Sequence, residues 1–227
     1  MFNIESLIKE DVLEFLQKVA VKTEGYDVYL GGGYLRDNYF QKYNHKGDIL
    51  THSPKDIDIF FIPNNETSSC ELPTVEKTYI NYDIDARDIP NVRPNVKHVR
   101  GLFEGNLSTR DIQFIVYDKP LTMRQLAEDM DCNLNQIMYN VKTRLGYHTD
   151  AFYKGFEDKE IKMLHEFEVE RMFGRIQRMI KKFPSFRVVH NIPLLEWERL
   201  CYEMEADNLS GKRKRIRANG SFINDDI

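Results

Sequence analysis

Near its start the chain carries the run Tyr26-Asp27-Val28-Tyr29-Leu30-Gly31-Gly32-Gly33-Tyr34-Leu35-Arg36-Asp37. An apolar segment ends in three glycines and is followed by residues compatible with a helix, so we predict a strand, a tight turn and a helix. Such a turn leaves backbone N–H groups and a helix N-terminus free to hold phosphate oxygens. A glycine triplet alone is more often only a turn, so its meaning depends on the residues that come after it in the chain.

A pair of acids comes next, in the segment Lys55-Asp56-Ile57-Asp58-Ile59-Phe60-Phe61-Ile62. Side chains change face at every residue of a strand, so Asp56 and Asp58 point the same way. Two acids on one face form a ready clamp for a divalent metal. A lone Asp-X-Asp on a surface strand is usually only solvated, but a glycine turn and an acid pair within one unit of about 30 residues favour a functional site.

A third acid is predicted at the start of a later strand. Val96–Glu104 reads as a strand, Gly105-Asn106 as a hairpin turn and Asp111–Tyr117 as the partner strand. This pattern makes Asp111 the candidate third carboxylate of a two-metal site, and the alternative is a salt-bridged acid at a strand start. Around these strands we predict an opening amphipathic helix over residues 4–19, packed on the back of the sheet, and an irregular insertion over residues 63–94.

These motifs resemble a known family. Gly32-Gly33-Tyr34-Leu35-Arg36-Asp37 followed by Lys55-Asp56-Ile57-Asp58 is similar to the signature of the polymerase-β-type nucleotidyltransferases, specifically the bacterial class II group of CCA-adding enzymes and poly(A) polymerases. The resemblance implies an α+β fold, with a mixed sheet flanked by helices in a catalytic head, followed by a small helical neck. It also implies that Asp56, Asp58 and Asp111 are catalytic and hold two Mg²⁺ ions, with Mn²⁺ as a possible substitute.

The nucleotide-binding residues are expected from the same resemblance. Gly32 and Gly33 would offer N–H groups to the phosphates and Arg36 would add charge, with Asp37 orienting Arg36 or the ribose. The family's next motif contains two arginines that help to select the ribose; here Asp131 and Asn135 are kept and both arginines are missing. Arg175 and Arg178 match a neck helix whose arginines face the nucleotide, and a solvated basic helix face is the alternative.

The resemblance covers about residues 26–182. We predict a catalytic head over residues 1–148, a helical neck over residues 149–207 and a basic, flexible tail over residues 208–227. The tail is expected either to bind RNA phosphates or to be simply disordered, through the cluster Lys212, Arg213, Lys214, Arg215 and Arg217.

Composition narrows the class of protein. The chain has 227 residues, 41% of them hydrophobic and 30% charged, as in an ordinary globular protein. A net charge of -4 means that any basic surface is local. Three widely spaced cysteines argue against a disulfide framework or structural zinc, and no apolar run approaches the roughly 20 residues needed to cross a bilayer. We therefore expect a cytoplasmic protein without a membrane partner; the short form is typical of a compact genome such as a bacteriophage, which would place it in the host cytoplasm.

Three functions are compatible with this pattern. The first is transfer of a nucleotide from an NTP, ATP or CTP, to the 3′ end of a tRNA or another short RNA. The second is transfer to a protein, a small molecule or another nucleotide, which the missing arginine pair permits. The third is a non-catalytic RNA-binding module, which the presence of all three carboxylates disfavours.

Overall fold

A computed structural model gives the fold and describes residues 3–43, 54, 56–65, 78–85, 96–104, 111–164, 169–209, 215–216 and 222–223. The helices are α1 (Glu10–Val21), α2 (Gly33–Tyr43), α3 (Met123–Glu128), α4 (Asp150–Glu157), α5 (Val169–Lys182) and α6 (Leu194–Leu209). The strands are β1 (Tyr26–Gly31), β2 (Asp56–Pro63), β3 (Thr78–Asp85), β4 (Val96–Glu104), β5 (Asp111–Tyr117), β6 (Ile137–Asn140), β7 (Leu145–His148), β8 (Glu160–Lys162), β9 (Arg187–Val189), β10 (Arg215–Ile216) and β11 (Phe222–Ile223).

A seven-stranded sheet in the order β3-β4-β5-β2-β1-β6-β7 forms the centre of the fold. It is mixed, because β2 and β5 run parallel while the other neighbours are antiparallel. The predicted strand, turn and helix are β1, Gly32 and α2, and the predicted hairpin strands are β4 and β5. The predicted α+β class is confirmed.

Both faces of the sheet are covered, which places the acids at the end of a buried strand. On one face Ile57 and Ile59 of β2 pack in a core with Leu16 of α1 and Leu35 of α2. On the other face, Phe60 of β2 packs in a second core under α3. Asp56 and Asp58 share the face of Phe60 but precede it, so they lie where the apolar packing stops.

Two elements differ from the prediction. The opening helix is broken: a 3-10 turn, Ile4–Leu7, is capped by the Asn3 side chain, and the chain is extended at Ile8 and Lys9 before α1 begins. The periodic apolar residues remain buried, so the pattern identified the buried face but not the break. Within the insertion predicted to be irregular, β3 forms the sheet edge by pairing with β4, because long-range pairing supplies hydrogen bonds that the local pattern does not announce.

The segment after β7 packs directly on the head. Met172, Ile176 and Met179 of α5 belong to the same core as α1 and α2, and Phe40 of α2 contacts the Phe183 ring with centroids 4.8 Å apart. The division into head, neck and tail remains a prediction. Of the basic cluster, only the backbone of Arg215 is described, in β10; Lys212, Arg213, Lys214 and Arg217 lie outside the described residues.

Among the helices that the structure describes, none combines the length and the apolar character that crossing a membrane requires.

Candidate active site

The three predicted acids lie on two neighbouring strands. Asp56 of β2 is paired with Asp111 of β5, and the next pair on the same face is Asp58 with Gln113. Parallel strands are about 4.8 Å apart, so Asp56 and Asp111 extend from adjacent backbone positions in the same direction. Asp56 and Asp58 are half-buried and Asp111 is exposed, so solvent reaches all three acids. We call these three residues the acid edge.

The glycine turn lies against these acids. Gly31 is paired with Asp58 across β1 and β2, and Gly32 has a φ of +64°, which side chains other than glycine rarely adopt. A Cβ on Gly32 would lie 3.2 Å from Asp58 Oδ2, and one on Gly33 would lie 3.8 Å from Asp56 Oδ1. The first turn of α2 therefore begins directly beside two carboxylates, with Arg36 N–H donating to Gly32 O at 3.1 Å.

Arg36 is buried behind the turn instead of pointing into solvent. Its Nε and Nη2 donate to Asp37 Oδ1 at 2.8 and 2.7 Å, and its Nη1 donates to Asn135 Oδ1 at 2.5 Å. The guanidinium also lies over the Phe183 ring, 5.6 Å from the centroid. A guanidinium held on three sides has a fixed orientation, so Arg36 organises the base of the site.

Two buried acids form ion pairs with basic side chains of α5. Asp37 Oδ2 accepts from Lys182 Nζ at 2.5 Å, and Asp131 forms an ion pair with Arg175. Asn135 Nδ2 donates to Asp131 Oδ1 at 3.1 Å. Burial lowers the pKa of the Lys182 amine, as does the nearby charge of Arg36, while Asp37 acts in the opposite direction.

Arg178 lies on α5 between these two ion pairs. Its residue surface is exposed, yet enough protein surrounds the guanidinium to lower its pKa by desolvation, and the Asp56 carboxylate opposes that change. In the described part of the chain Arg178 makes no ion pair, unlike Arg175 and Lys182. Asp56 is therefore the acid whose charge acts on Arg178, and no ion pair joins the two among the described residues.

This fold is similar to that of solved CCA-adding and tRNA-processing enzymes. A CCA-adding enzyme in complex with CTP matches with a TM-score of 0.52 and 14% sequence identity, over 92% of this chain and 46% of that one. The Thermotoga maritima CCA-adding enzyme complexed with tRNA-CCA matches with a TM-score of 0.52 and 17% sequence identity, over 92% of this chain and 47% of that one. An apo form of a tRNA-processing enzyme matches with a TM-score of 0.51 and 17% sequence identity, over 89% of this chain and 48% of that one. This chain shares the fold of the matched part of these enzymes.

The likeness concerns the fold and part of each relative. The chain spans about half the length of the solved structures that it matches. No protein-family profile matches the sequence, and no curated protein matches it either. The activity of the relatives is therefore carried to this chain only as a proposal.

The sequence resemblance implies a divalent metal, which Asp56, Asp58 and Asp111 would hold. Carboxylate oxygens are the ligands that Mg²⁺ prefers, and the strand register puts all three on one face. As the side chains stand, no three His, Cys, Asp or Glu residues of the described chain converge on one point. The strand register and the ligand chemistry of the three acids are those that a metal site requires.

Sequence reasoning missed Lys182, Met179 and Phe183. Lys182 bonds Asp37, while Met179 Sδ and the Phe183 ring contact the Arg36 guanidinium. For Lys182 a signal was present, because Arg175, Arg178 and Lys182 are spaced three and four apart and so share one helix face. No pattern in the sequence indicated the Met179 and Phe183 contacts, which depend on how α5 packs on α2.

Proposed function

We propose that the protein is a metal-dependent nucleotidyltransferase that adds NMP from an NTP, ATP or CTP, to an RNA 3′ end. The observation that carries the proposal is the pairing of Asp56 with Asp111 beside the Gly32-Gly33 turn. Acids on adjacent strands and a helix N-terminus within reach of them are the two parts that triphosphate chemistry requires. The solved structures with this fold support the same class of reaction.

The chain's own residues have distinct roles in this proposal. Mg²⁺ bound at the acids would supply charge neutralisation for the triphosphate and would make the attacking hydroxyl more acidic. The backbone N–H groups at Gly32 and Gly33 hold phosphate oxygens, and Arg178 adds positive charge on the side of Asp56. Arg36 and Asp37 keep the first turn of α2 in place from behind.

RNA is the proposed acceptor. The matched structures include a CCA-adding enzyme complexed with tRNA-CCA, and others in complex with CTP and with ATP. The cluster of Lys212, Arg213, Lys214, Arg215 and Arg217 would hold RNA phosphates, since a net-acidic chain must concentrate positive charge where it meets a polyanion. Phosphate contacts of this kind give affinity without base selection.

One observation favours a second candidate, transfer to a protein or a small molecule. Where the family has its two ribose-selecting arginines, this chain has Asp129 and Met130. Asp129 accepts a hydrogen bond from the Tyr117 hydroxyl at 3.2 Å, and Met130 is buried in the core under α3. Neither position offers a cation to the sugar, so selection of the ribose would not follow the family's pattern, which permits a different acceptor.

The deciding experiment incubates the purified protein with each labelled NTP, Mg²⁺ and total RNA, and then separates RNA from protein. We expect the parent protein to label RNA. No label is expected on RNA whose 3′ ends were first oxidised with periodate, and none is expected when the Asp56→Ala protein replaces the parent. Label on the protein fraction would favour the second candidate. No transfer of label from any of the four NTPs would overturn the proposed reaction.

A further inference from the structure

One face of α5 carries four cations at helical spacing: Arg171, Arg175, Arg178 and Lys182. Two of them are held by acids that are almost completely buried, with side chains only 1% exposed: Asp131 binds Arg175 and Asp37 binds Lys182. Loss of either cation would leave an uncompensated buried charge, which is costly, so these two contacts hold both ends of the segment between them.

The two acids are also connected to each other through the head. Asp37 binds Arg36, Arg36 donates to Asn135, and Asn135 donates to Asp131. Ion pairs and hydrogen bonds thus connect Lys182 at one end of the helix, through the head, to Arg175 nearer its start. We call this connection the α5 ionic chain, and its members are Lys182, Asp37, Arg36, Asn135, Asp131 and Arg175.

Arg178 lies between the two ends of the α5 ionic chain, three residues after Arg175 and four before Lys182. Residues at these spacings share a helix face, so fixing Arg175 and Lys182 also fixes the direction of Arg178. The Asp56 carboxylate is the charge that acts on Arg178, and no ion pair holds Arg178 among the described residues.

We propose that Arg175 and Lys182 are positioning residues, which hold α5 so that Arg178 faces the acid edge and meets an anionic substrate there. The proposal rests on the proposed function for the identity of that substrate, an NTP. It assigns to Arg175 and Lys182 no contact with the nucleotide, because both are already bound to buried acids. Met179 lies between Arg175 and Lys182 on α5, is buried in the core and contacts the Arg36 guanidinium. This contact also holds α5 against the head.

A double-mutant cycle tests the assignment. Binding of each NTP is measured by calorimetry for the parent, Lys182→Met, Arg178→Met and the double variant. We expect Arg178→Met to weaken NTP binding about tenfold and Lys182→Met to weaken it by a similar factor. The double variant should be no weaker than Arg178→Met alone, because residues that act through one another are not additive. Multiplying factors would mean that Lys182 contacts the nucleotide itself, which would overturn the proposal.

Control variants distinguish loss of the positioning contact from a general effect of replacing a lysine on α5. Lys182→Arg keeps the charge and should restore binding, and Lys181→Met makes the same change at the exposed neighbouring lysine, where no effect is expected. If Lys182→Met does not fold, Arg175→Gln replaces it at the other end of the α5 ionic chain, where the side chain is 31% exposed. The same non-additivity with Arg178→Met is expected.

Hydrogen exchange of α5 tests the attachment without any substrate. Amides of α5 should exchange faster in Lys182→Met and Arg175→Gln than in the parent, and at the parent's rate in Arg178→Met. Faster exchange together with no NTP binding by the parent would uphold the attachment and refute the proposed function. Unchanged exchange in both positioning variants would overturn the inference whatever the protein binds.

Discussion

Asp111 lies directly beside Asp56 in the parallel pairing of β2 with β5. The next position on this face pairs Asp58 with Gln113, which is not an acid, so the edge is asymmetric. In the proposed metal site Asp111 would share an ion with Asp56 on the outer side of the edge, while Asp58 lies beside the glycine turn. The asymmetry predicts that Asp111 and Asp58 have different roles.

Asp56→Ala and Asp58→Ala should each abolish nucleotide transfer and leave the metal-free protein as stable as the parent or more stable. Removing one of several clustered carboxylates relieves repulsion when no cation is bound. Transfer of labelled NMP and thermal unfolding in chelator measure the two effects. Asp118→Ala, an exposed acid just beyond the far end of β5, is the matched control and should retain activity. Normal turnover in either site variant would refute the metal role of the pair.

Asp111→Asn should lower the rate of transfer by about 100-fold or more, the scale seen when one electrostatic group that acts on the transition state is lost. NTP binding should weaken much less, because Asp111 lies away from the glycine turn. Single-turnover rates and calorimetric binding of NTP separate the two quantities. Equal loss of rate and of nucleotide binding would indicate a structural acid instead.

Gly32→Ala should destabilise the protein by about 1–2 kcal/mol, because a left-handed backbone is strained for any residue with a Cβ. The new Cβ would also press against Asp58 Oδ2, so transfer should fall. Gly33→Ala is the matched control: its φ is not in that region and its Cβ contacts lie at 3.4 Å or beyond. Urea unfolding measures both variants, and an equal loss in the two would contradict the role assigned to Gly32.

Glu5 should make folding stability sensitive to acid. The hydrogen bond from Arg144, followed by that from Tyr139, lowers the pKa of Glu5 from 4.5 to about 2, against the effect of burial. Because the folded pKa is the lower one, this stabilisation is complete above pH 4.5 and is lost as the pH falls towards 2. Its size should be about 1 kcal/mol, since Arg144 is an exposed partner.

The measurement for Glu5 is urea unfolding from about pH 6 to pH 3 for the parent and Glu5→Gln. Other carboxylates titrate in the same range, so the informative quantity is the difference between the two proteins. The difference should shrink as the pH falls. A constant difference would mean that the Glu5 contacts do not depend on its charge.

Local patterns predicted the parts of the fold that depend on neighbouring residues. The alternation around Asp56 and Asp58 identified β2 and its face, and the glycines identified the turn before α2. The break at Ile8 was missed because the apolar spacing continues through it, although the chain is extended there and the Ile8 N–H bonds back to Glu5 O, which closes the first turn. The edge strand β3 was missed because its stability comes from β4.

By itself, the sequence determined the chemistry of the site: three carboxylates, a glycine turn and a basic helix face. These follow from covalent geometry, because side-chain direction repeats every two residues in a strand and every three or four in a helix. Only the tertiary structure decided which of these groups meet. Lys182 reaches Asp37 because α5 packs on α2 through Phe183 and Phe40, and no local rule specifies the partner of a residue 145 positions away.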